Sequence, residues 1–192
     1  MIGPRERMVI SAALLMREKG ARPTAIADVL EHSGAPKGSA YHYFPGGRSQ
    51  LLCEAVDYAA DYVAEVLGQA STGTGVLDAA VRHYREGLIH SDYRAGCPVM
   101  AVAVEAGDHD NRTAAAVERA AVAFDRWGDL LTQRLVSDGV PRKKATELAT
   151  LVIASLEGAL VLARAARDVT PLDRVHRQLH SLLMGEKTKG KR

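Results

Sequence analysis

Residue types capable of chemistry concentrate in Lys37–Leu52, KGSAYHYFPGGRSQLL. Tyr41, Tyr43 and Phe44 place three of the chain's eight Phe and Tyr within four positions. Just ahead of them, Gly38, Ser39 and Ala40 are small enough to let a backbone come close to a partner. Lys37 and Ser39 carry donors for base edges or phosphates, and Tyr41, His42 and Tyr43 end in polar atoms suited to phosphate oxygens. Arg48 opens the next helical pattern, where a cation joins free backbone N–H groups and a favourable dipole as a phosphate clamp. Thr24, at the start of the preceding helix, is placed to do the same on the opposite strand. This is the chemistry of gripping a polyanion. The bland reading is a packed aromatic cluster between two helices; Phe44 belongs to the core on either account, and Tyr41 fits both. The double glycine is no nucleotide loop, since neither a Walker pattern nor a preceding strand exists.

The elements that must position these residues all read as helices. Met8, Ala12 and Met16 recur at helical spacing and stop at Gly20. Thr24 caps a short helix carrying Ile26, Val29 and Leu30. "HSGAP" breaks it, and Pro36 opens a third, over 36–42. Helix, glycine turn and short helix form a helix-turn-helix, whose second helix enters the DNA major groove. Ser49 starts a long fourth helix. Further patterns follow at 77–88, 98–106, 117–135 and 141–167, and Thr170 with Asp173 forms a capping box for the last. No alternating run argues for a strand. The fold class is all-α, about nine helices: a three-helix DNA-binding domain at 1–47, extended to about 52, then a larger ligand-binding and dimerisation domain at 48–184. Residues 185–192, GEKTKGKR, read as a basic, disordered tail.

The totals agree. The chain has 192 residues, 47% hydrophobic and 25% charged, with a formal net charge of +2. That charge is uneven: residues 1–50 hold seven Lys/Arg against four acids, whereas 51–184 hold fourteen against eighteen. A basic head on an acidic body suits an anion-binding module. No stretch reaches the roughly 18 uninterrupted apolar residues of a membrane span. Cys53 and Cys97 fit no metal pattern and read as reduced thiols of a cytoplasmic protein.

Residue order says more than spacing. TAIADVLEHSGAPKGSAYHYFPGGRSQLL resembles the amino-terminal DNA-binding domain of the TetR family of bacterial repressors: a Thr-capped helix, a Gly turn, KGSxYxxF and a basic residue at the fourth helix. The PGG before Arg48 and AGCPVMAVAVEAGD at 95–108 resemble the LmrA/YxaF-type subgroup. Ala40 and Pro36 depart from the usual pattern. The resemblance implies a homodimer whose last two helices pair with their symmetry mates. The spacing nominates Leu148, Val152, Ser155, Leu156, Ala159 and Ala163, with Leu172, Val175, Leu179 and Leu182; burial of those faces within one subunit is the alternative. It further implies a small-molecule effector, aromatic or drug-like, among the central helices. Candidates to line its pocket are Tyr62, Tyr84, Cys97, Met100, Phe124, Trp127 and Leu131.

Three other constellations read as structural. His176 and His180 lie four apart but lack a third ligand, so no metal and no cofactor are expected. Asp108, His109 and Asp110 form a solvated loop. Cys97 before Pro98 has a minor redox reading, with packing the default. The expected function is a repressor, not an enzyme, that releases double-stranded operator DNA when the effector binds. The competing class is an all-α carrier or enzyme whose first helices only look like a DNA reader.

Overall fold

The computed structural model describes residues 2–105 and 111–189. Among them lie nine α-helices and no strand: α1 (Pro4–Lys19), α2 (Ile26–Ser33), α3 (Ser39–Tyr43), α4 (Gly47–Gly68), α5 (Gly73–His90), α6 (Pro98–Ala103), α7 (Asn111–Ser137), α8 (Arg142–Ala166) and α9 (Thr170–Lys189). The all-α class holds. The loop residues Asp108, His109 and Asp110 lie outside the described residues, as do 190–192. Where a disordered tail is expected from 185, α9 instead continues to Lys189.

The chain divides into two compact units, Met1–Asp61 with Cys97–Ala123, and Tyr62–Gly96 with Phe124–Arg192. The first unit therefore holds the helix-turn-helix together with most of α4, α6 and the first half of α7. Its core forms where α1 packs on α2 and α6, around Met8, Ala12, Met16, Val29, Phe44 and Val99. In the second unit α5, α8 and α9 pack together, burying Leu77, Leu88, Leu148, Leu160 and Leu172.

Helix ends follow local chemistry, with corrections to the expected caps. Pro4 opens α1, where a missing N–H costs nothing, and Gly20 at φ 92° stops it. Thr24 does not cap α2: Ala25 holds the cap position, and its N–H donates to the Asp28 carboxylate at 3.3 Å. That bond, after the closer one from Lys19 Nζ at 2.6 Å, holds the Asp28 carboxyl below the usual range. The third helix starts at Ser39, not Pro36, because the Pro36 carbonyl is taken up turning the chain, accepting from Ser39 N–H and Ser39 Oγ. Likewise α9 lacks the Thr170/Asp173 box. Asp173 pairs with Arg85, and Asp168 accepts from Thr170 N–H at 3.1 Å.

Between α2 and α3 the chain reverses at Gly34, which adopts φ 62°, ψ 23°. An added Cβ there would meet nothing within 4 Å, so substitution carries backbone strain alone. Gly34→Ala should lower unfolding free energy by about 1 kcal/mol in a urea titration, and Gly34→Asn by less, since Asn tolerates this region.

Candidate nucleic-acid interface

The five residues of α3 present two unlike sides. Ala40 and Phe44 are each 1% exposed. The Arg5 guanidinium lies over the Phe44 ring, 5.2 Å from its centroid, and pairs with Glu54 at 2.7 Å. Opposite them, Lys37, Gly38 and His42 are exposed and Tyr41 is 72% exposed. Tyr43 is half-buried, its ring edge-on to His42 at 5.2 Å. Ser39 is half-buried, and its hydroxyl donates to the Pro36 carbonyl at 2.7 Å, leaving the oxygen as an acceptor. Besides the Lys19–Asp28 pair, Arg7 Nε donates to the Ser33 carbonyl at 3.1 Å, and His32 Nδ1 meets Ser11 Oγ at 3.0 Å, tying α2 to α1.

Three residues expected at the DNA surface have other roles. Ala40 faces the core. Thr24 is 1% exposed, and its hydroxyl donates to the Gly20 carbonyl at 2.7 Å, so it closes the α1–α2 loop instead of meeting a phosphate. Arg48 turns back onto the same loop: Nε donates to Thr24 O at 2.9 Å, and Nη2 to Ala21 O at 2.5 Å and Arg22 O at 3.0 Å. A fork with several fixed donors suits three converging carbonyls. Glu105, just past α6, grips the loop from elsewhere, accepting from Arg22 N–H at 3.0 Å. Sequence reasoning missed Glu105, since nothing local marks a contact 83 residues distant.

The second unit contains an apolar cavity of about 40 Å³, lined by Val63, Leu77, Tyr84, Trp127, Leu131 and Glu157 among others. Tyr84, Trp127 and Leu131 are thus brought together. Phe124 stands behind them, its ring edge-on to Trp127 at 5.5 Å. Tyr62 lines a separate polar cleft with Asp78 and Arg82. Cys97 and Met100 belong to the other unit at the start of α6, where Cys97 Sγ accepts from Met100 N–H at 3.4 Å. Both cysteines are free and buried, and burial pushes the Cys53 thiol up. His176 Nε2 is engaged by Asp78 at 2.6 Å.

The interface nominated by spacing is corrected at seven of its ten positions. Leu148, Val152, Leu156, Ala159, Ala163, Leu172 and Leu179 are at most 5% exposed and line this subunit's interior. Ser155 and Val175 are half-buried, and Leu182 is 37% exposed. The physical reason is that α8 is apolar on two sides, so spacing alone does not choose between them. Its outward side carries Leu151, Ala154, Gly158, Val161 and Leu162.

Residues 74–178 match the carboxyl-terminal domain of LmrA/YxaF-like transcriptional regulators. The chain belongs to this TetR-type family. An uncharacterised HTH-type transcriptional regulator of Mycobacterium tuberculosis is 61% identical over 188 residues, 97% of each chain. The HTH-type transcriptional regulator LmrA of Bacillus subtilis is 28% identical, covering 88% of this chain and 90% of LmrA. Among solved structures, a TetR regulator from Chloroflexus aurantiacus has a TM-score of 0.72 at 30% identity, covering 94% of both chains. One from Legionella pneumophila reaches 0.81 at 18% identity, covering 95% of this chain and 98% of that one, a likeness of fold. The LmrA/YxaF-like chain is therefore a DNA-binding transcriptional regulator, and TetR-type regulators act as dimers.

Family membership makes the loop clamp a point to test. Arg48→Ala strips donors from three carbonyls of the 21–24 loop and should cost about 1–3 kcal/mol in denaturant unfolding. Lys37→Ala, at an exposed turn, should stay within about 0.5 kcal/mol of wild type.

Proposed function

We propose that the protein is a dimeric repressor that grips operator DNA through Lys37, Gly38, Ser39, Tyr41, His42 and Tyr43, and releases it when a small molecule enters the second-unit cavity. The observation carrying this reading is the anchoring of Ala40 and Phe44, which turns the cationic, hydroxyl-bearing side of α3 to solvent. The small Gly38 permits close approach to base edges, while Lys37 and the Tyr41, Tyr43 and His42 tips reach phosphates. Effector action is a population shift: the ligand lowers DNA affinity by the margin with which it prefers the released state. Glu105 and Arg48 support a route, because they hydrogen-bond the loop ahead of α2 from just past α6 and from the start of α4.

Dimerisation is assigned to the outward side of α8 with α9. Leu151 and Val161 are 46% exposed and Leu162 59%, and Gly158 leaves open space where a Cβ would stand. More than half of the most apolar stretch of α8 is left uncovered within the chain. A helix apolar on two sides needs cover on both, and a second copy supplies it isologously.

Binding to the chain's own upstream DNA should weaken roughly a thousandfold or more between about 50 and 200 mM salt, as several phosphate contacts require. Lys37→Ala should lower the slope of log affinity against log salt by about one. Weak binding insensitive to salt points instead to a carrier or enzyme.

Leu162→Glu should halve the sedimenting mass at unchanged helical content and abolish tight operator binding, since one half-site holds poorly. An undiminished dimer in that variant rejects the α8 assignment.

A further inference from the structure

Charge alone argues against a carboxylate in a module that grips a polyanion, since every negative charge there lowers affinity. The helix-turn-helix unit nevertheless carries Glu54 on α4, its side chain 25% exposed. The contacts of Glu54 give it another use. Its Oε1 accepts from Arg5 Nη2 at 2.7 Å and from Gln50 Nε2 at 3.0 Å, and its Oε2 meets the same Arg5 nitrogen at 2.7 Å. Each partner then reaches the segment that follows α3. The Arg5 guanidinium covers the Phe44 ring, 5.2 Å from its centroid, and Gln50 Oε1 accepts from Gly46 N–H at 2.9 Å. The fit at this turn is close: a Cβ on Gly46 would meet Gln50 Cβ at 3.1 Å and Oε1 at 3.2 Å.

We propose that Glu54 is a positioning residue for operator binding. Through Arg5 and Gln50 it fixes the 44–47 turn, and with it the direction in which α3 shows Lys37, Tyr41 and His42 to DNA. Stability is not what the Arg5–Glu54 pair mainly supplies, because Arg5 is 49% exposed and solvent screens the interaction. Geometry is. The five residues of α3 carry too few internal hydrogen bonds to hold their own direction, and their carboxyl end passes straight into the turn that the two arms hold. One carboxylate can set both arms because it accepts from several donors at once. The next carboxylate along α4, Asp57, is paired with Arg119 of α7. The inference rests on the operator-binding reading above and adds a residue outside the set assigned to touch DNA.

Two variants of the full-length protein separate geometry from charge. Glu54→Ala and Glu54→Gln remove the same negative charge, but Gln keeps an acceptor for Arg5 and Gln50. On upstream DNA at one salt concentration, Glu54→Ala should bind about tenfold more weakly than Glu54→Gln, which should stay within about threefold of wild type. Gln50→Ala, which changes no charge, should weaken binding about threefold. Amide exchange across 39–47, read without DNA, should quicken in both Ala variants and hold near wild type in Glu54→Gln. Charge alone predicts that the two Glu54 variants bind equally and more tightly than wild type. Equal binding by those two, or exchange unchanged throughout, overturns the proposal. Should Glu54→Ala fail to fold, Gln50→Ala decides: wild-type binding and exchange in that variant overturn it. Exchange that responds, in a protein whose DNA binding is weak and insensitive to salt, sinks the repressor reading and leaves the hold of Glu54 on the turn standing. Salt-steep binding that is indifferent to all three variants does the reverse.

Discussion

A helix of five residues cannot sustain itself in water, because nucleation fixes more backbone than so few hydrogen bonds repay. That α3 exists at all depends on burying Ala40 and Phe44, four apart and so on one side. The same anchoring decides which side is left for a partner. A larger residue at 40 would have to find space at a position that is only 1% exposed. The Arg5 guanidinium over the Phe44 ring adds a lid to this anchor while its Glu54 partner keeps it in place. The exposure of Lys37, Tyr41 and His42 therefore goes together with the packing of Ala40 and Phe44.

The loop from Gly20 to Ala25 gains its order in a similar way, from outside itself. It buries Ala21 and Thr24 almost completely, and its carbonyls would be orphaned without donors. Arg48 supplies three hydrogen bonds from the start of α4 and Glu105 accepts one just beyond α6. At the α2 end, Lys19 and the Ala25 N–H hold the Asp28 carboxyl below its usual range. The linked stability is present above the ordinary carboxylate range and fades as pH falls through the depressed value. The group is partly exposed to solvent, which screens the pair, so its share is small beside the Arg48 clamp.

Much of this was legible in the sequence, and the failures have a common physical cause. Helix number, the turn at Gly34 and the burial of Phe44 follow from periodicity and from glycine's freedom at positive φ, which are local. Thr24 and Arg48 were of the right chemical type for phosphates, yet their polar atoms are used by carbonyls of the same unit. Spacing cannot report which acceptor lies nearest in space. Ala40 sits within a recognition-like motif, but a short helix must give up one side to the core. For α8, Leu148, Val152 and Leu156 share a stripe as regular as that of Leu151, Gly158 and Leu162. Only packing of α5 and α9 against the first stripe separates them.

That two-sidedness gives one helix both a cavity wall and an open outer side. Glu157 and Gly158 are neighbours, the first set in the cavity wall and the second facing open space on the outer side. On an α-helix, adjacent residues point about 100° apart, so one rigid element serves both surfaces. A side chain pushed outward at Glu157 or Val152 displaces the helix, because a close-packed wall has little compressibility to absorb the change. In the proposed dimer the partner's α8 would meet the side that carries Gly158 and Leu162. Under the proposed function, filling the cavity would change how two copies meet.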